Sequence, residues 1–395
     1  MALALRRDGE AYLASVHSLA PLIEAQADEI ERLRDLPEPL FAALMERGLF
    51  RLLLPSEHGG AELPPTAFVQ ILEQIARHDA STAWCVGQNN VCVTVGAYLV
   101  LEAAAEIFAD PRAVIAWGPP AGATAAVVPG GFRVSGTFHF ASGSRHATWL
   151  GANVGAIEPD GRPRLWPDGS RAIYTLLFPK ERATVLDTWQ VIGLKGTGSD
   201  SYTVSELFVP ERLSVPRGAH IPPRVDGKLY VFSASTLYAS GFAGIALGIA
   251  RATLEAFIAD AKDTVPRGAR FARGANHVVQ SQVGQAEAKL RSARMFLLGS
   301  LAEIWDAVRP GDRLDRQQQL AIRLAGTWAI QQAREVVTTL YLAAGALAIF
   351  EKNPFERRFR DVHTVTQQIQ GHAAQFETVG QVLMGQEPDR PMFTF

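Results

Sequence analysis

Cysteine is nearly absent: Cys85 and Cys92 are the only two in 395 residues. They sit seven apart in an apolar stretch, which reads as two buried thiols of a reduced compartment and excludes a disulfide framework. An excess of one charge is missing as well. Lys and Arg number 38 against 40 Asp and Glu, a formal net charge of −2, so nothing draws the chain to nucleic acid or to an anionic membrane. The nine histidines include no spacing typical of a metal site, and no metal is expected. There is no Walker loop, no His-Glu-x-x-His and no Gly-x-Ser-x-Gly. Gly196-Thr-Gly-Ser-Asp-Ser201 contains Gly-x-Gly but lacks the third glycine and the strand-turn-helix setting of a dinucleotide fingerprint. A nicotinamide dehydrogenase, a metalloenzyme and a serine hydrolase are therefore disfavoured. No internal repeat or low-complexity tract is present. Met1-Ala-Leu-Ala-Leu-Arg-Arg7 lacks the ordered basic, apolar and cleavage regions of a signal peptide, and a cytoplasmic protein is expected. One uncharged run, Val231 to Ala250, is about long enough to cross a bilayer. Ser233, Ser235, Thr236, Ser240, Gly241, Gly244 and Gly248 dilute it, and Arg251 continues the same helix. It reads as a helix buried on all sides in a bundle.

Hydrophobic residues, at 48%, supply ample core, and their spacing changes twice along the chain. Residues 10–111 are helical in pattern. Pro37 to Gly48 places Leu40, Phe41, Leu44 and Met45 on one side; Pro55 and Gly59-Gly60 mark a turn; a helix follows from Pro65 to Arg77. Ser81 to Val93 is apolar but holds Gln88, Asn89 and Asn90. Those amides fit a helix lining a pocket and equally fit core amides that satisfy backbone groups. Between about Val114 and Val215 the period becomes that of strands. Phe132, Val134, Phe138 and Phe140 alternate with Arg133, Ser135, Thr137 and His139, and this strand runs into Ala141-Ser-Gly-Ser-Arg-His-Ala-Thr-Trp149, a cluster of polar groups at a strand end. From Phe232 to about Gly385 the chain is helical again, with four or five long helices. The expected fold is mostly α with a central β domain: an N-terminal helical domain at 1–113, a β domain at 114–225 and a C-terminal helical bundle at 226–395.

Three segments carry a resemblance. Gly48-Leu-Phe-Arg-Leu-Leu-Leu-Pro55 with Gly59-Gly60, the Gly193-Leu-Lys-Gly-Thr-Gly-Ser199 loop leading to Leu207-Phe-Val-Pro210, and Pro354-Phe-Glu-Arg-Arg-Phe-Arg-Asp361 together resemble the acyl-CoA dehydrogenase superfamily. The resemblance covers almost the whole chain. It implies a helical domain, a small β-barrel-like domain and a four-helix bundle, usually in a tetramer, with flavin between the β domain and the bundle. Phe140-Ala-Ser-Gly143 and Arg357-Arg-Phe-Arg-Asp-Val-His363 followed by Gln367 look more like the two-component flavin monooxygenases that hydroxylate aromatic substrates. Those take reduced FAD or FMN from a separate reductase.

A dehydrogenase needs a carboxylate base over the flavin ring. Alignment on Asp361 puts Ile369 or Gln370 at that position, and Tyr238 or a close neighbour at the family's alternative position. A monooxygenase instead needs a hydrogen-bonding group beside flavin N5 and a dry pocket. By the resemblance Ser142 is that group, as a donor, with the Gly143 amide beside it. Trp117, Arg270 and Gly345 match cofactor-binding positions, Arg270 toward the flavin phosphate of a neighbouring subunit. Asn90, Cys92 and Tyr238 fall on the substrate pocket. Where relatives carry two histidines, this chain has Asn90 to Cys92 and Gln368. Gln368 therefore stands at a catalytic position, and His146, His363 or His372 could substitute, His372 above the others. Arg360 and Asp361 read as a structural ion pair. A flavin dehydrogenase of acyl thioesters and a catalytically silent binding subunit remain as alternatives. Ala321 to Leu347 and Phe232 to Ala250 offer more apolar helix surface than one bundle face can bury, so a homotetramer is expected. Light scattering at micromolar concentration should show it, and a stable monomer would contradict it.

Overall fold

Capping side chains set the start of most long helices. Asp79 accepts a hydrogen bond from the Thr82 amide at 2.6 Å and opens α4 (Ala80–Val93) directly after α3 (Pro65–His78). Ser233, Asn276 and Asn353 cap α6 (Ala234–Asp263), α7 (His277–Ala307) and α9 (Pro354–Gln367), and Asp315 forms a reciprocal capping box with Gln318 at α8 (Arg316–Ala344). The remaining helices are α1 (Arg7–Leu33), α2 (Glu38–Glu46), α5 (Leu101–Phe108) and α10 (Gln375–Leu383). The computed structural model describes residues 7–218 and 221–393. The signal-peptide reading of Met1 to Arg7 lies, but for Arg7, outside the described residues.

Among the described residues, eight strands occupy the middle of the chain. They are β1 (Ile115–Gly118), β2 (Pro120–Val128), β3 (Gly131–Phe138), β4 (Trp149–Ile157), β5 (Ile173–Pro179), β6 (Thr184–Leu186), β7 (Ser201–Pro210) and β8 (Ser214–Arg217). The sheet order is β6-β7-β3-β2-β4-β5-β8, with β1 parallel to β4. In β3 Phe132, Val134 and Phe138 are buried, as alternation predicts. Phe140 departs from the pattern. Its φ of +56° breaks the strand and turns the ring outward, leaving it 64% exposed instead of on the buried face.

The apolar helix α6 runs through the bundle against α3, α8 and α9, and most of its apolar stretch is buried. Its contact with α3 is a stripe of glycines at helical spacing. A Cβ on Gly241 would lie 3.0 Å from Phe68 and Leu72 side chains, and one on Gly244 would lie 2.7 Å from the Val69 carbonyl oxygen. On Gly248 it would press still harder into the Glu73 carbonyl. Backbone meets backbone here, and a backbone atom cannot rotate away. Glu73, buried at the same crossing, takes the Arg294 guanidinium of α7 at 2.8 Å, which ties three helices together.

Gly248→Ala tests this contact. Alanine favours an isolated helix by about 1 kcal/mol, but overpacking costs roughly 1–3 kcal/mol or more, so a net loss of about 1–2 kcal/mol is expected. Urea unfolding midpoints check it, and a more stable variant would show that the helices have room.

Candidate active site

Where α4, α6, the strand ends and the residues after α9 converge lies a cavity of about 610 Å³, within the usual range for a small-molecule site. One wall is a column of rings. Trp84 of α4 stacks on Phe242 of α6 at 3.8 Å and 4°, and Tyr238, one helical turn before Phe242, stacks on it at 5.5 Å. Gln88, one turn after Trp84, donates to the Tyr238 hydroxyl at 3.0 Å. Trp117 and Gly118 of β1, with Pro119, form a second wall. Phe140 and Trp189 lie at 6.1 Å edge to face and also border the cavity.

Facing the rings is a chain of hydroxyls whose direction can be worked out. The Thr197 hydroxyl donates to the Leu194 carbonyl at 2.9 Å, so its single proton is spent there. Ser199, 2.7 Å away, must therefore donate to Thr197. Ser142, 2.7 Å from Ser199, must in turn donate to Ser199. The Trp84 indole N–H donates to Ser142 Oγ at 3.0 Å. With its proton committed and one lone pair filled, Ser142 has only acceptor capacity left. In this arrangement Ser142 faces the cavity as an acceptor, the opposite of the donor role the resemblance implies.

The other expected site residues divide sharply. Ser142, Trp117, Tyr238 and Gln368 line the cavity, as do Ile369 and Gln370. Gly143 does not supply an amide: its N–H donates to the Thr197 carbonyl at 2.8 Å, and its φ of +76° lets the turn pack on Asn89. Asn90 is not a pocket residue either. Its side chain donates to the Leu49 and Val86 carbonyls and accepts from the Leu52 and Leu53 amides, so every polar atom is used in holding a loop. Cys92 lies behind the wall, 3.4 Å from the Tyr238 hydroxyl, and burial pushes its thiol up to about 12. His372 is exposed and accepts from the Ala374 amide at 3.2 Å; the turn after α9 points it away from the cavity. His146 lies 2.7 Å from Asp35 and His363 lies 3.1 Å from Thr338, and neither borders the cavity. Arg270 is exposed, 5.4 Å from the Phe271 ring. Gly345 ends α8 with φ +74°, also away from the cavity.

Several cavity residues carried no signal of their own. Trp84 could have been found from Gln88, since four residues place both on one helix face. Arg217 on β8 also borders the cavity. The one hint was a charge at the end of a short strand, after Val215 and Pro216.

The donor set fits a flavin. Planar walls, a hydroxyl acceptor at Ser142 and the amides of Gln367, Gln368 and Gln370 suit a flat heterocycle with N–H and carbonyl edges. Comparisons agree with this reading of the fold. The family description "Acyl-CoA dehydrogenase, N-terminal domain" matches residues 10–104, and "Acyl-CoA dehydrogenase, C-terminal domain" matches residues 240–372. The chain is 29% identical to an indole-3-acetate monooxygenase of Pseudomonas putida, over 98% of each protein. It is 27% identical to the oxygenase subunit of the flavin-dependent monooxygenase HsaA of Rhodococcus jostii, over 88% of this chain and 91% of that one. XiaF from Streptomyces sp., solved with FADH2 and glycerol, superposes with a TM-score of 0.88 at 23% identity, covering 96% of each chain. The chain belongs to the acyl-CoA dehydrogenase family, and the relatives it resembles are named as flavin-dependent monooxygenases.

Asp361 ties this site to the bundle. The expected ion pair with Arg360 is not formed: Arg360 engages Glu31 at 3.0 Å and Glu356, while buried Asp361 accepts the Leu194 amide at 2.6 Å. Leu194 borders the cavity and has φ +51°. Burial, then the neighbouring Asp79 and Glu31, outweigh that hydrogen bond and push the Asp361 carboxyl up to about 7. A raised folded-state pKa means the native protein keeps a proton that the unfolded chain releases. The resulting penalty is absent below 3.8 and complete above about 7. Wild-type stability should fall as pH rises through that window, and Asp361→Asn should flatten the fall. Unfolding midpoints at about pH 5 and 8 check this, with equal slopes in the two proteins counting against it.

Proposed function

We propose that this chain is the oxygenase component of a two-component system: it takes reduced flavin, FAD or FMN, from a separate reductase and hydroxylates an aromatic or similarly apolar small molecule. One observation carries the reading. Ile369, Gln370 and Tyr238, which stand at the positions where a dehydrogenase would place its base, all border the cavity, and no carboxylate lines it among the described residues. Burial holds the Tyr238 phenol well above its ordinary pKa, so it too is a poor base. The chemistry left to this cavity is one that needs dryness and hydrogen bonding instead of carbanion formation. The relatives support this: HsaA is named as an oxygenase subunit, and the hydroxylase of Acinetobacter baumannii at 25% identity is named as the oxygenase component for p-hydroxyphenylacetate.

Reduced flavin, when bound, supplies the two electrons with which dioxygen is activated, one oxygen atom entering the product and the other leaving as water. The protein's part follows from its own groups. Ser142 Oγ, held as an acceptor by Ser199 and Trp84, would accept a hydrogen bond from the N5–H that the reduced flavin carries and the oxidised one lacks. Trp117, on the cavity wall, would flank the ring. Gln368 offers its side chain at the same edge of the cavity, while Gln88 and Tyr238 orient the substrate. The aromatic column excludes water, which favours oxygen transfer over wasteful release. Arg270 and Gly345, outside the cavity, are assigned to the distal part of the cofactor, Arg270 across a subunit contact. Exposed Trp328, Leu342, Leu347 and Ile349 on and after α8 support a homotetramer, and the buried free thiols suit the cytoplasm.

Oxygen consumption with reduced flavin and an aromatic substrate should exceed dye reduction by any acyl-CoA; the reverse order would sink the reading. Ser142→Ala should still bind reduced flavin, with affinity lowered by no more than the loss of one hydrogen bond, yet product formation should fall about 10²–10³-fold, by analogy with loss of one oxyanion-hole contact. Hydrogen peroxide release should rise to match. Unchanged coupling would remove Ser142 from the mechanism.

A further inference from the structure

Arg217 ends β8 and is paired there with Ile173 of β5. Its Nε donates to the Thr175 hydroxyl at 2.6 Å; Thr175 passes its own proton to Asn153 Oδ1, so the orientation of the guanidinium is fixed from behind. The group lies 5.3 Å from the centre of the Trp117 ring and borders the cavity. Its two Nη groups are given no acceptor by any described residue, and no described carboxylate pairs with it. The ionisable groups that face it are Tyr98, Tyr238 and Cys92. Burial raises all three, so each is neutral at neutral pH. Burial lowers the pKa of Arg217 itself, but not to a range in which a guanidinium gives up its proton.

A half-buried cation set against apolar walls without a counter-charge is costly, and charges withdrawn from water in folded proteins are paired. Here the counter-charge has to arrive with a ligand. Arg217 is also the one charged side chain among the described lining residues. A single fork of N–H donors matches one planar monoanion held by two parallel hydrogen bonds, whereas a phosphate would call for more positive charge than this wall holds. Across the cavity stands the ring column of Trp84, Phe242 and Tyr238, suited to clamp an aromatic body.

We infer that Arg217 is the recognition point for a carboxylate on the substrate, so that the cavity takes aryl acids in preference to neutral arenes. This rests on reading the cavity as the substrate site of an oxygenase. Arg217 does not take part in the oxygen chemistry; it selects and orients.

The test is equilibrium binding to the full-length protein by titration calorimetry, with phenylacetate and indole-3-acetate each compared with its own amide. Wild type should bind the acids about 30-fold or more tighter than the amides, the ratio expected for satisfying a charge withdrawn from water. Arg217→Met should bring acid and amide to parity, and Arg217→Lys, which keeps the charge but loses the fork, should retain part of the preference. Affinity for reduced FMN should be unchanged in both variants. The inference is overturned if wild type binds acid and amide alike. It is equally overturned if the methionine variant keeps the acid preference or loses FMN instead. Failure of the oxygenase reading looks different: acid preference that depends on Arg217, with no oxygen consumption on reduced flavin, leaves the carboxylate site standing and removes the monooxygenase assignment.

Discussion

Backbone contact between α3 and α6 fixes where everything else stands. The glycines at 244 and 248 bring α6 onto the carbonyl groups of α3, Gly241 lets it close on the Phe68 and Leu72 side chains, and α4 leaves α3 at the Asp79 cap with no linker between them. The angle at which α4 and α6 face each other is therefore set before any cavity side chain is considered. Trp84 and Phe242 stack at 3.8 Å because these two helices are held at this separation. Gly87 of α4, whose added Cβ would lie 3.0 Å from Leu72, extends the same close packing to the third helix.

Polarity in the cavity is arranged by direction more than by charge. The hydroxyls of Thr197, Ser199 and Ser142 form a one-way chain because its far end terminates on a carbonyl, which can only accept. Such a chain presents a fixed dipole without a formal charge, and so without the desolvation cost that a carboxylate in the same place would carry. The single charge among the described lining residues, Arg217, lies on the Trp117 wall. The hydroxyl chain and the charge thereby come from different elements: the Ser142 turn and the 194–199 loop for one, the end of β8 for the other.

Periodicity alone revealed the order of helices, strands and helices, because long amphipathic segments and short alternating ones differ over many residues. Ser142 was legible because a strand ends just before it. The three amides on α4 were ambiguous for a geometric reason. Adjacent helical residues point about 100° apart, so Gln88, Asn89 and Asn90 cannot share a wall. Gln88 meets Tyr238, Asn89 turns to the Ile115 and Ser142 carbonyls, and Asn90 holds the loop at 49–53. Which of the three faces the cavity depends on how α4 is rotated against α6, and the sequence carries that only through distant glycines. Phe140 was placed on the wrong face because a left-handed residue outside glycine breaks the alternation without warning. Arg217 was missed because the absence of a partner is visible only when all neighbours are in place.

The glycine stripe also bears on how such a protein can change over time. Helix positions that depend on backbone contact do not depend on the side chains that form the cavity wall. Trp84, Tyr238 and Phe242 do not set the spacing of α3 and α6, whereas Gly244 and Gly248 do, and a larger residue at either glycine presses on backbone. A lineage built on this scaffold is free to drift in what it accepts and is constrained in how it is assembled. Chemical novelty can then accumulate one wall residue at a time, with each intermediate still folded.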